Sequence, residues 1–134
     1  MTISEQVSAR KFPPFSLAKL LRMTFEPKAG QKICVLIDLE NPHDIKDFKF
    51  LENPRLTIQG NAVKHFYEAL KNGVLKELGL EGGEIFAYEV TGGSNLDLPD
   101  RAFTPQGKEV NLERDVYSSY DIILCISTYS ATAP

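Results

Sequence analysis

Five consecutive apolar residues, Ile33-Cys34-Val35-Leu36-Ile37, leave no polar face on the stretch Lys32 to Leu39. A strand of this kind has to be covered on both sides, as the central strands of parallel sheets are. A buried helix fits poorly, because the run is short and largely β-branched, with Gly30 before it and Asn41-Pro42 after it. The run ends in Asp38, which puts a carboxylate near the carboxyl edge of the sheet, where open α/β folds keep their ligands.

A chain of 134 residues is one domain's worth of material, enough for a modest core around such a strand. Fifteen basic against eighteen acidic residues give a formal charge of −3. That balance, with no basic cluster, excludes a nucleic-acid protein recognised by its field. No apolar run reaches the length of a membrane span, so no membrane partner is expected. Met1 to Lys11 carries Ser4, Glu5, Gln6 and Arg10 and lacks the apolar core of a signal peptide, which gives a cytoplasmic expectation. Cys34 and Cys125 each sit in an apolar run and read as reduced core cysteines rather than a disulfide or redox pair. With no histidine beside them, they are not a zinc site.

Residues 1–15 read as an N-terminal arm, since Phe12-Pro13-Pro14-Phe15 suits neither helix nor central strand, and its aromatic pair is expected to clip onto the body. Residues 16–134 read as a single α/β domain. Ser16 is an N-cap for a helix with Leu17, Leu20, Leu21 and Phe25 on its inner stripe, stopped by Pro27. Glu40 to Gly60 is a polar passage long enough to suggest a lid or contact loop, with an ordinary surface insertion as the alternative. A second helix is expected to begin at a capping Asn61, with Val63, Phe66, Tyr67, Leu70, Val74 and Leu78 inward, and to stop at Gly79-Leu80. Gly82-Gly83 leads into a second strand, Glu84 to Val90, whose alternation puts it nearer an edge. A second irregular stretch runs to about Glu109, with a small hairpin around Gln106-Gly107. Asn111 caps a short third helix, and Ile122 to Ile126 is a third, again central, strand opening into Ser127-Thr128-Tyr129-Ser130.

Strand, helix, strand, helix, strand predicts a small three-layer parallel sheet of flavodoxin-like or Rossmann-like type in the order 2-1-3, incomplete as it stands. The long loops then crowd the edge that carries Asp38. The candidate ligand residues are Asp38, Asn41, His43, Ser127, Thr128 and Ser130. Asp38 is expected to hydrogen-bond the hydroxyl of Ser127 or Thr128, as a ligand feature or as polar packing. Asp38, Glu40, His43 and Asp44 share one loop, yet nothing in their spacing selects a metal. His65 reads as a surface or packing residue, and neither histidine has the partners of nucleophilic catalysis. No glycine pair matches a phosphate-cradling fingerprint. A binding module for a small anionic or nucleotide ligand is thus supported by fold rather than by motif.

Leu17-Ala18-Lys19-Leu20-Leu21, leading through Pro27-Lys28-Ala29-Gly30 to Ile33-Cys34-Val35-Leu36-Ile37-Asp38, resembles the opening of the thermophilic-type metallo-aminopeptidases. Tyr120 to Ser130 is similar to that family's third strand and the Ser/Thr-rich loop after it. Two departures stand against the likeness: Ala133 replaces a histidine common in the family, and the Glu40 to Gly60 insertion is atypical. The resemblance implies a non-catalytic N-terminal domain that shapes a cleft or a dimer. The family's paired divalent metals are held by a C-terminal segment, so no residue here inherits a ligand role and no cofactor is expected in this chain. The partners it implies are a second copy or a C-terminal domain. A structural subunit that docks another chain through its loops is a further option.

Overall fold

The computed structural model describes residues 15–92 and 98–128. Most of the expected arm, Gly93-Ser94-Asn95 and Ser130 fall outside them. The elements are α1 (Leu17–Phe25), β1 (Lys32–Leu39), a 3₁₀ segment (Pro42–Glu52), α2 (Thr57–Asn61), two wide π-type stretches (Ala62–Tyr67 and Leu70–Val74) and α3 (Leu75–Leu78). They continue as β2 (Glu81–Glu89), β3 (Arg101–Phe103), β4 (Glu109–Asn111), a short π-type turn (Leu112–Tyr117) and β5 (Ile122–Ile126).

The class is α/β, built on one five-stranded mixed sheet in the order β4-β3-β2-β1-β5. β1 runs parallel to β2 on one side and to β5 on the other. β3 and β4 form an antiparallel hairpin that extends the sheet beyond β2. The expected three-stranded, all-parallel order 2-1-3 is therefore corrected. The hairpin puts β2 in the interior, where an edge position was expected, and leaves β5 at an edge, where a central one was. Both errors have one cause: apolar content reports cover over the two faces of a strand, and an edge is a matter of who sits beside it. In β2, Ile85, Phe86, Ala87 and Tyr88 are all buried.

β1 is dry on both faces. Ile33, Val35, Ile37 and Leu39 join Leu17, Leu21, Ile45, Phe50, Val63 and Leu70 on one side, beneath α1, the 3₁₀ segment and the helical run of residues 57–78. Cys34 and Leu36 join Phe86, Tyr88, Leu112 and Val116 on the other, where the cover among the described residues centres on the turn Leu112–Tyr117. Each fully buried aliphatic side chain there contributes on the order of 1.5–3 kcal/mol.

The helix signals hold unevenly. The Ser16 hydroxyl accepts from the Lys19 N–H at 3.2 Å and starts α1. Leu17, Ala18 and Leu21 face the sheet; Leu20, expected inward, is 39% exposed because Ala18 takes the inner position, and Phe25, also expected inward, is 43% exposed at the last turn. The second helix starts at Thr57, not at Asn61, which has helical backbone angles and caps nothing. The Gly60 N–H already reaches the Leu56 carbonyl at 2.8 Å, so the first turn closes within the stretch expected as loop. Gly79 ends α3 in the left-handed conformation (φ 70°), with the Leu80 N–H on the Leu75 carbonyl at 2.8 Å. Asn111 caps Leu112–Tyr117 by accepting from the Arg114 N–H at 2.7 Å.

Gly82 lies inside β2, where the register against β1 shifts between Ile33 and Cys34. Its φ is +87°, and a Cβ there would stand 2.8 Å from the Ile33 carbonyl oxygen. Gly82→Ala therefore adds left-handed strain and a backbone clash, and urea denaturation should show a loss of about 1–3 kcal/mol with the m-value unchanged.

Candidate functional site

Because β1 and β2 are parallel, the chain leaves both at the same rim of the sheet. Asp38 stands one residue before the end of β1, and it is 1% exposed. A buried carboxylate is costly unless its oxygens are hydrogen-bonded. Here Oδ1 accepts from the Gln59 amide Nε2 at 2.6 Å, and both oxygens lie 3.0 Å from the Thr128 backbone N–H. The Gln59 amide also donates to the Asp38 carbonyl at 3.0 Å and to the Thr128 hydroxyl at 2.9 Å. Asp38 thus bonds the backbone of the loop after β5, where a hydroxyl donor was expected. The carboxylate ties three pieces of chain together: the end of β1, the start of α2 and the exit of β5.

Gln59 is the residue that sequence reasoning missed. It is 3% exposed, and the only signal for it was a short amide-bearing step, Ile58-Gln59-Gly60, inside a passage taken for loop. Once the helix begins at Thr57, Gln59 falls in its first turn and faces the sheet edge.

A cavity of about 430 Å³ opens beside this network, lined by Asp38, Leu39 and Glu40 from β1 and its exit, by Arg55 to Gln59, by Val90 and Gly92 after β2, and by Thr128. A second lobe of about 380 Å³ shares Leu39, Glu40, Arg55 and Leu56 and reaches Asn41, Asp44, Phe50 and Asn53. Together they form a cleft along the carboxyl rim. Arg55 is exposed in its middle, and among the described residues its guanidinium makes no ion pair.

Glu40 to Gly60, expected as a lid or contact loop, supplies one wall of this cleft. Ile45 and Phe50 anchor it in the core. Asp47 and Phe48 carry positive φ of 54° and 56°, a conformation that costs of order 1–3 kcal/mol for a side-chain-bearing residue. What holds them is the Asp47 N–H on the Pro105 carbonyl at 2.9 Å and the Phe48 ring 5.5 Å from that of Tyr67.

The remaining candidates scatter. The Asn41 side chain accepts from the His43 N–H at 3.2 Å and caps the 3₁₀ segment, although Asn41 also borders the second lobe. His43 lies over Phe103, with ring centroids 4.2 Å apart, and lines neither lobe. The Ser127 hydroxyl lies 3.8 Å from the Cys125 Sγ and lines neither lobe. Ser130 lies outside the described residues. Asp38, Glu40, His43 and Asp44 do not converge, and among the described residues no three His, Cys, Asp or Glu side chains are grouped to hold a metal. His65 is exposed and packs edge-on to Phe15 with centroids 5.9 Å apart, while Phe15 also touches Phe66 at 5.5 Å, so the end of the arm clips onto the body.

On the thinly covered face, the Tyr88 hydroxyl lies 3.7 Å from the Cys125 Sγ. Burial raises the Tyr88 pKa above the usual phenol range. Cys34 is buried, but Cys125 is exposed, which corrects the expectation of two core cysteines. The alternation that turns Cys34 under Leu112 and Val116 turns Cys125 to the open border of the same face. Burial, helped by the charge of Glu84, pushes the Cys34 thiol up to about 12.

No family model, no curated protein and no solved structure matches the chain. The aminopeptidase likeness accordingly rests on the residues of its two stretches alone.

Gln59→Leu leaves the Asp38 carboxylate with one donor group instead of two, and chemical denaturation should register a loss of about 2–3 kcal/mol. A thiol reagent at neutral pH should label Cys125 within minutes and reach Cys34 only on unfolding. Cys34 ionises near 9.0 when unfolded and near 12 when folded. Its protonated form therefore supports the fold fully below pH 9.0, and that support is lost as pH climbs toward 12. Cys34→Ala should flatten this part of the stability-versus-pH curve, leaving the alkaline decline that comes from the tyrosines whose pKa burial raises, Tyr88 foremost.

Proposed function

We propose that the chain is a binding module that takes a small anionic or nucleotide ligand at the carboxyl rim of its parallel strands, in the manner of flavodoxin-like folds, without catalysis of its own. The observation that carries this reading is the cleft of about 430 Å³ with Arg55 exposed on its wall, its guanidinium in no ion pair among the described residues. Arginine offers a planar fork of donors that suits phosphate or carboxylate oxygens. Leu39, Leu56, Ile58 and Val90 supply apolar surface for a flat or aliphatic portion of the same ligand. The Asp38–Gln59–Thr128 network holds the wall on which they sit, and Asp38 itself acts as a positioning residue.

A thermal-shift and amide-NMR screen with inorganic phosphate, nucleoside phosphates, flavin mononucleotide and short peptides tests it. The expected result is a rise in Tm with a nucleotide and shifts confined to residues 55–59 and 90–92. Arg55→Gln should weaken that binding about tenfold, a loss of about 1.4 kcal/mol, and leave stability unchanged. Silence from every ligand, or shifts elsewhere on the surface, would overturn the reading.

A second reading, the non-catalytic N-terminal domain of a metallo-aminopeptidase, is favoured by one feature. The two stretches that carry the resemblance lie side by side as β1 and β5, and Asp38 of the first holds Thr128 of the second. On this reading peptides occupy the cleft in competition with nothing else on the panel, and the chain hydrolyses none of them.

A further inference from the structure

The two borders of the sheet are built differently. β4 is three residues long and carries Glu109, a short charged edge of the kind that discourages further pairing. β5 is five residues long and wholly apolar, Ile122-Ile123-Leu124-Cys125-Ile126, with no proline, no charge and no bulge in its pairing to β1. Among the described residues no strand lies on its other side. Its burial is also incomplete: Ile122 and Leu124 are covered on one face with Ile126 half-buried beyond them, while on the other Ile123 is half-buried and Cys125 exposed.

We propose that β5 pairs antiparallel with β5 of a second copy of this chain, across a two-fold axis at Leu124, so that two five-stranded sheets become one. The sequence of the edge is self-complementary in that register. Ile122 meets the partner's Ile126, and Ile123 meets the partner's Cys125, which puts the two incompletely covered side chains of the face against each other. Asp121, the charged residue next to the strand, meets the partner's Ser127 rather than the partner's Asp121, so no like charges oppose. Such an interface is isologous and closes at two copies. The outer row of N–H and C=O groups on β5 gains partners, and the surplus apolar face gains cover. The carboxyl rims, with their clefts, then lie at opposite ends of the shared strand pair, so the proposal stands independently of what the cleft binds.

Sedimentation equilibrium on the full chain should give a monomer–dimer equilibrium and no higher species. Cys125→Lys replaces an exposed side chain, so the fold is retained by circular dichroism, and it should weaken dimerisation at least about tenfold by placing two ammonium groups near the axis. Ile123→Cys in a Cys34→Ala background should form, under mild oxidation, a disulfide dimer between positions 123 and 125, which the additional change Cys125→Ser abolishes. A monomer at the highest soluble concentration overturns the proposal. So does a dimer that Cys125→Lys leaves intact, or one that the 123–125 pair cannot cross-link.

Discussion

From Ile33 to Leu39 the side chains of β1 are buried on both faces, and most of the molecule follows from keeping them dry. A strand with Ile33, Val35 and Ile37 on one side and Cys34 and Leu36 on the other needs two covering layers and a neighbour along each border. The chain meets this need unequally. Among the described residues, one face carries α1, the 3₁₀ segment and the helical run of residues 57–78, whereas the other carries little beyond the turn Leu112–Tyr117. The asymmetry explains why an apolar strand such as β5 ends with one cysteine buried beside it and another open at its surface.

Where the dry strand ends, a polar group has to be dealt with. Asp38 is the last inward position on its face of β1, and the fold satisfies its carboxylate with one backbone N–H and one amide. These bonds set the distance between the start of α2 and the exit of β5, and so the width of the cleft between them. Burial at this point raises the strength of each charge-assisted hydrogen bond and the cost of losing one. The same group is thus a structural tie between three elements and part of the wall of the cleft.

The aminopeptidase likeness and the ligand-binding reading make different use of this arrangement. For the first, the β1–β5 pair is a recognisable opening and close; for the second, the gap above that pair is the functional feature. They converge on the carboxyl rim, where the parallel strands β1, β2 and β5 all end.

Much of this was legible in the residues: the buried strand from its unbroken apolar run, the cap at Ser16, the stop at Gly79-Leu80, the small hairpin around Gly107, and the rim on which Asp38 emerges. Such features depend on local sterics and on burial, which neighbouring residues express directly. Hidden were the start of α2 at Thr57, the partners of Asp38, the rank of β2 and β5 within the sheet, and the opposite fates of Cys34 and Cys125. Each of these turns on residues distant in the chain: Gln59 and Thr128 reach Asp38 only once three elements are packed, and a strand becomes an edge only when nothing arrives beside it. The sequence alone determined that Ile33 to Ile37 must be enclosed; tertiary structure alone decided by what, since hydrophobic burial has no direction and the identity of a neighbour is not written in the residue it covers.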